Sequence, residues 1–176
     1  NPFQASFTES AYWLAYFIFP IPIAMFLKRY SYKAGIIFGL LLAACGGLLF
    51  FPAAILKAYW AYLCIFFIIA TGMCFLETAA NPYVTILGKP ETAERRLNLA
   101  QSFNGLGAII AAMFLSKLVL SGANYTKETL PSAYPGGWAG YIQTETDAMK
   151  LPYLMLAILL IIVAVVFIFY RLPKIG

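Results

Sequence analysis

The stretch FLETAANPYVTILG, from Phe75 to Gly88, places a glutamate inside a run of apolar residues long enough to cross a lipid bilayer. Glu77 lies ten residues before Leu87, which is about 15 Å along a helix that rises about 1.5 Å per residue. That distance is half of a hydrocarbon core of about 30 Å, so we expect Glu77 near the midplane. A charged group there costs on the order of 2.5–3.5 kcal/mol on insertion scales, and such groups almost always face a cavity or a partner.

The composition of the whole chain supports a membrane location. Of its 176 residues, 62% are hydrophobic and 11% are charged, whereas soluble domains carry about 25% charged residues. There is no histidine, which excludes histidine metal sites and Ser-His-Asp triads. The three cysteines are isolated within apolar segments, so we predict no metal site, no disulfide framework and no cofactor.

Five apolar segments are long enough to span a membrane, and none shows the alternation of a β-barrel strand. We therefore predict an all-α polytopic membrane protein with five transmembrane helices. The predicted spans cover residues 3–27, 34–56, 59–87, 98–120 and 151–170, with a long outer loop at 121–150.

The basic residues predict the orientation of these helices. Eight of the twelve lie on one side, in the loops after the first, third and fifth spans. The positive-inside rule makes that side cytoplasmic, with the N-terminus outside and the C-terminus inside. Because the positive charges are scattered singly or in pairs, they indicate topology and no nucleic-acid partner. The chain starts at Asn1, and five spans that start outside suggest a piece lacking one upstream helix.

Small residues recur along one face of two predicted helices. Such stripes let neighbouring helices approach closely and are typical of packing in membrane bundles. They comprise Gly35, Gly39, Ala43 and Gly47 in the second span, and Ala100, Asn104, Ala108, Ala112 and Ser116 in the fourth.

A polar face surrounds Glu77. Asn81 follows it one turn later, on the same side of the helix. Pro82 frees the carbonyl of Thr78, which adds an acceptor near that face. Because desolvation disfavours a charged carboxylate, a glutamate at this depth is a candidate proton carrier. The alternative is a structural kink, in which Glu77 bonds a neighbouring helix.

Amide side chains mark the fourth predicted span. Gln101 and Asn104 are three residues apart and share a helix face. Amides offer donors and acceptors without charge, which suits the hydroxyl groups of a sugar. Polar residues also link helices to one another in membranes, and the spacing alone does not separate the two roles.

Three segments resemble the L-fucose–proton symporter family of the major facilitator superfamily. They are FLETAANPYVTILG, RLNLAQSFNGLGAIIA (Arg96–Ala111) and YFIFPIPIAMFLKRYSYKAGIIFGL (Tyr16–Leu40). The resemblance covers nearly the whole chain and implies a transporter of twelve helices in two halves, working by alternating access. Residues 1–176 would then be a partial N-terminal six-helix bundle that lacks its first helix.

The resemblance also implies roles for individual residues. Glu77 matches the glutamate that takes part in proton coupling, and Gln101 and Asn104 match the residues that line the sugar site. We add Asn81 as a substrate-binding candidate because it shares the face of Glu77. The family also uses an aspartate in its first helix, which this chain does not contain. The loop at 27–35 lacks the acidic residue of the superfamily's cytoplasmic signature, so a gating role for it does not follow.

Together these features predict a secondary active transporter that takes up a monosaccharide with protons across the cytoplasmic (inner) membrane. The sugar would be L-fucose or a related hexose, and the partners would be the sugar, the proton, membrane lipid and the missing remainder of the transporter. The alternatives are a truncated half-carrier that does not transport, or a facilitator in which Glu77 is structural. An intramembrane enzyme is disfavoured because the sequence has no HExxH motif and no paired aspartates in the spans.

Overall fold

A computed structural model describes residues 2–56, 59–119, 125, 128–130, 132 and 134–171, with side chains described except at 2–6 and 114–119. These residues form helices and turns and no strand, which confirms the all-α prediction. The helices are α1 (Pro2–Ile18), α2 (Pro20–Arg29), α3 (Tyr32–Leu56), α4 (Tyr59–Ile86), α5 (Ala93–Val119) and α6 (Gly137–Phe169), with a 3₁₀ turn at Pro90–Thr92.

The first predicted span is divided into two helices. Residues 7–18 of α1 and the whole of α2 meet at an angle of 43°. Pro20 explains the bend, because proline lacks a backbone donor and its ring clashes with the carbonyl four residues earlier. The hydrogen bonds on either side are kept, from Phe19 N to Ala15 O and from Ile23 N to Phe19 O.

Within the described residues, three helices are long and apolar enough to cross a membrane: α3, α4 and α6. The bent pair α1–α2 makes a fourth if it is one span. The span predicted at 98–120 lies on α5, whose side chains are described as far as Met113. That span stays a prediction.

The glycine stripe of α3 packs directly against α4. A Cβ atom added at Gly39 would lie 2.8 Å from the carbonyl oxygen of Gly72, and one added at Gly72 would lie 2.6 Å from the nitrogen of Ala43. The two backbones therefore touch. Gly47, further along the stripe, faces Ala157 of α6 instead. The close packing that the second predicted span suggested is confirmed.

The core lies between α2, α3, α4 and α6. Its larger cluster comprises Ile23, Leu27, Ile36, Leu40, Cys74, Phe75, Ala79 and Ala164. A smaller cluster lies towards the far end of α3, where the rings of Phe50 and Tyr153 stack with centroids 4.3 Å apart. These contacts hold α4 in place and so position its polar face.

The last helix begins well before the predicted span at 151–170. It starts at Gly137, after Gly136 turns the chain with a φ of 73°, and its first turns carry polar side chains. Those turns are stabilised locally by the ion pair of Lys150 with Asp147 and by the hydrogen bond from Gln143 to Asp147. Apolar length detects only the part of a helix that lies in lipid. Half of the remaining predicted outer loop, 121–136, lies outside the described residues.

Candidate functional site

The carboxylate of Glu77 lies on an exposed face of α4 and meets a tyrosine of α1. The Tyr16 hydroxyl donates a hydrogen bond of 3.2 Å to Glu77 Oε1. Glu77 is exposed within this chain, although it lies inside a helix of membrane-spanning length. An acidic side chain at that depth faces a cavity or a partner in membrane proteins, and Tyr16 is a partner that the sequence did not reveal.

The helix that carries Glu77 is continuous through Pro82, from Tyr59 to Ile86. The sequence predicted that Pro82 frees a carbonyl beside the polar face. The helix continues through Pro82 without a break. The carbonyl of Pro82 accepts a hydrogen bond of 2.6 Å from the Thr85 hydroxyl. Glu77 and Asn81 therefore keep their helical spacing of one turn, about 6 Å along the axis.

The amide of Asn81 joins α4 to α5. Gln101 Nε2 donates a hydrogen bond of 3.1 Å to Asn81 Oδ1, and the pair lies one turn from Glu77. Each amide retains donors or acceptors beyond this one bond, because a primary amide has two N–H groups and an oxygen with two lone pairs. The structure thus brings three of the four predicted site residues together: Glu77, Asn81 and Gln101.

The fourth predicted residue, Asn104, lies on a part of α5 that this chain leaves open. Every residue from Gln101 to Ile110 is exposed, and a Cβ atom added at Gly105 or Gly107 would meet no described atom within 4 Å beyond the neighbouring turns of its own helix. The small-residue stripe of α5 was expected to pack like that of α3. Along its described part, this expectation is wrong for the contacts within this chain.

An arginine clamps the end of α4 to the start of α5. Arg96 donates to the carbonyl of Val84 at 3.1 Å, to that of Thr85 at 2.7 Å and to that of Lys89 at 3.0 Å. Its guanidinium also bonds the Thr92 hydroxyl. The last carbonyls of a helix have no partner within it and carry partial negative charge, so a cation there satisfies both needs.

The sequence had suggested only a topological role for Arg96. The spacing of the residues is the signal that could have identified this contact. A short break at 87–89 follows α4, and an arginine lies within the first turn of α5. An arginine so placed can reach back across the break. It sits five residues before Gln101, so the clamp and the Gln101–Asn81 bond are two ties between the same helices.

A second cation caps α6 in the same manner. Lys33, in the first turn of α3, donates to the carbonyls of Ile168 and Tyr170, each at 3.0 Å. The beginning of α3 and the end of α6 therefore meet at one end of the bundle. That arrangement agrees with the alternating direction of the predicted spans.

Comparison with known proteins gives this arrangement a context. The chain matches the family model described as Major Facilitator Superfamily over residues 1–175. It is 42% identical over 172 residues to the L-fucose-proton symporter of Escherichia coli strain K12, covering 97% of this chain and 39% of that protein. It is also 42% identical over 180 residues to a glucose/galactose transporter of Brucella abortus biovar 1, covering 99% of this chain and 40% of that protein.

Two solved structures resemble the fold closely. The crystal structure of the E. coli fucose:proton symporter superposes with a TM-score of 0.86 at 41% identity, covering 98% of this chain and 42% of that one. A transporter structure described as being in the outward conformation gives a TM-score of 0.85 at 42% identity, with the same coverage. The chain thus spans about two fifths of the relatives it matches. These relatives are transporters and not enzymes, as the sequence predicted for this chain.

Proposed function

Because the chain belongs to the major facilitator superfamily, as its sequence resemblance suggested, we propose that it is part of a carrier that takes up a monosaccharide together with protons. The carrier would work by alternating access in the cytoplasmic membrane, with the N-terminus of this segment outside and its C-terminus inside. The relatives, an L-fucose-proton symporter and a glucose/galactose transporter, support sugar as the substrate class.

The observation that carries this proposal is the pairing of an acid with amides on one open face. Glu77 and the Asn81–Gln101 pair lie one helical turn apart, and the first and last of these three side chains are exposed. A carboxylate that alternates between its charged and neutral forms carries one proton. The amides beside it bind hydroxyl groups without charge. A proton and a neutral polar solute would therefore bind next to each other.

We assign Glu77 as the proton-coupling residue, and Gln101, Asn104 and Asn81 as sugar-binding residues. Asn104 lies one turn beyond Gln101, on the uncovered part of α5. Secondary carriers bind substrate near the midplane, between two structural repeats. The open face of α5 is where the remainder of the transporter would complete such a site.

Sugar-induced alkalinisation of the medium tests the proposal. Energy-depleted cells expressing the full-length protein would receive L-fucose, galactose, glucose and N-acetylglucosamine in turn. We expect a rise in external pH with one of them, and its loss in Glu77→Gln. Glu91→Gln is the matched control, because Glu91 is exposed in the turn before α5 and lies outside the proposed site.

The outcomes separate the proposal from its alternatives. Sugar uptake without a pH change, unaffected by Glu77→Gln, would make the protein a facilitator and Glu77 a structural residue. No uptake of any of the four sugars by the full-length protein would contradict monosaccharide transport.

A further inference from the structure

Tyr16 is the described side chain whose hydroxyl bonds the carboxylate of Glu77. The two residues belong to different helices, and the bond of 3.2 Å crosses from α1 to α4. Among the described residues, Tyr12 on α1 and Cys74 on α4 are titratable groups close to this pair. Cys74 is 2% exposed and belongs to the hydrophobic core, so water does not reach Glu77 through it.

The ring of Tyr16 is held in place by its neighbours. It packs against Tyr12 with centroids 5.4 Å apart and against Trp13 at 6.1 Å. A hydroxyl carried by a packed ring loses little conformational freedom when it binds. The direction of the Tyr16 hydroxyl towards Glu77 is therefore set by α1 itself.

A second hydroxyl lies behind the first. The oxygen of Tyr12 is 3.5 Å from that of Tyr16, a small adjustment away from an ordinary hydrogen bond between hydroxyls. Tyr12 is one turn, or about 6 Å, closer to the N-terminus of α1. On the proposed orientation that end faces outside, so the two hydroxyls lead from the outer side towards Glu77.

We propose that Tyr12 and Tyr16 deliver the proton to Glu77 from the outer side. Tyr16 gives its hydroxyl proton to the ionised carboxylate while its oxygen takes one from Tyr12, and Tyr12 takes one from a hydronium ion on the outer side, which becomes water. Both phenols end unchanged, and Glu77 becomes neutral. This inference rests on the proposed function, because it gives a route only to a glutamate that carries protons.

The test compares two modes of transport in proteoliposomes that contain the full-length protein. One is uptake driven by an imposed proton gradient, and the other is counterflow, in which labelled sugar exchanges for unlabelled sugar without net proton movement. For Tyr16→Phe we expect driven uptake to fall roughly tenfold, as for loss of a hydrogen bond to a charged group. Counterflow should stay near the wild-type rate, because the ring and its packing remain.

Two further tyrosine variants make the test specific. Tyr12→Phe should lower driven uptake in the same direction by a smaller factor. Tyr59→Phe is the matched control, since the Tyr59 hydroxyl lies 3.5 Å from Thr8 across the same pair of helices and far along α4 from Glu77. Tyr59→Phe should leave the ratio of the two rates unchanged.

The inference is contradicted if Tyr16→Phe keeps the wild-type ratio of driven uptake to counterflow, whether both rates stay unchanged or both fall by the same factor. Glu77→Gln, measured alongside, distinguishes a failure of the proposed function from a failure of the tyrosine route. Persistence of driven uptake in Glu77→Gln would overturn the proposed function itself. Its loss there, with an unchanged ratio in Tyr16→Phe, would overturn the tyrosine route alone.

Discussion

Two helices of this chain carry stripes of small residues, and the two stripes have opposite surroundings. On α3 the stripe is buried, and Gly39 meets the backbone of α4 at a distance that leaves no space for a methyl group. On α5 the residues from Gln101 to Ile110 are exposed, and Gly105 and Gly107 face open space within this chain. A small-residue stripe therefore indicates close approach without saying what approaches.

The helix α4 makes a different kind of contact on each of two faces. The contact between α3 and α4 is apolar and closely packed, and it covers one face of α4. Another face of α4 carries Glu77 and Asn81, which bond Tyr16 of α1 and Gln101 of α5 through one side-chain hydrogen bond each. A single side-chain hydrogen bond can break at a lower cost than a contact in which two backbones touch. The proposed alternating access would require such breakable contacts beside rigid ones.

The largest effect should come from filling the α3–α4 contact. Gly72→Ala places a Cβ atom 2.6 Å from the Ala43 nitrogen, so the backbones must part. We expect a loss of about 3 kcal/mol or more in stability, at or above the usual range for overpacking. The apparent melting temperature of the full-length protein in detergent would measure it. An unchanged value would show that the two helices do not touch as described.

The next effect should come from the clamp that joins α4 to α5. Arg96→Ala removes bonds to three carbonyls and one hydroxyl, and we expect a loss of about 1–2 kcal/mol because the site is partly solvated. Hydrogen exchange at residues 84–92 should speed up. Arg95→Ala is the control, since Arg95 is an exposed neighbour of the same charge. Equal effects of the two variants would show that the positive charge stabilises this region and that the hydrogen bonds of Arg96 do not.

A smaller effect should follow from separating Asn81 and Gln101. Gln101→Ala and Asn81→Ala each remove the bond of 3.1 Å, worth about 0.5–1.5 kcal/mol. If the pair also binds sugar, the KM for uptake should rise more than the melting temperature falls. A double-mutant cycle in both quantities decides between the two roles. Coupling in stability with no change in KM would make the pair a link between helices.

The smallest effect should come from a substitution on the exposed part of α5, at 101–110. Gly105→Ala meets no described atom of this chain within 4 Å and improves helix propensity by up to about 1 kcal/mol. We expect the full-length protein to melt at the same temperature or slightly higher. A marked loss would mean that another part of the full-length protein packs on α5 as tightly as α4 packs on α3.

The sequence was most informative where one helix decides the outcome. The shared face of Glu77 and Asn81 followed from helical spacing alone, and the close approach at Gly39 followed from residue size. Pairings between helices were not predictable, because periodicity shows which face is special and not which neighbour it meets. The bond between Gln101 and Asn81 is one such pairing.

Tyr16 and Arg96 were missed for related reasons. An aromatic residue in an apolar span is usually a lipid or core contact, so nothing in the sequence distinguished Tyr16 from its aromatic neighbours. Arg96 followed the pattern of a topological charge, and its reach to the end of α4 depends on the geometry of the break at 87–89. Both residues act through contacts that form only once the helices are placed.

The central claim is that Glu77 couples protons to sugar, and the most direct measurement is the current that a sugar concentration jump evokes in proteoliposomes on a solid-supported membrane. The full-length protein should give an inward positive current that grows with the proton gradient. Glu77→Gln should give none while it still exchanges labelled sugar in counterflow. A sugar-evoked current of undiminished size in Glu77→Gln would contradict the account.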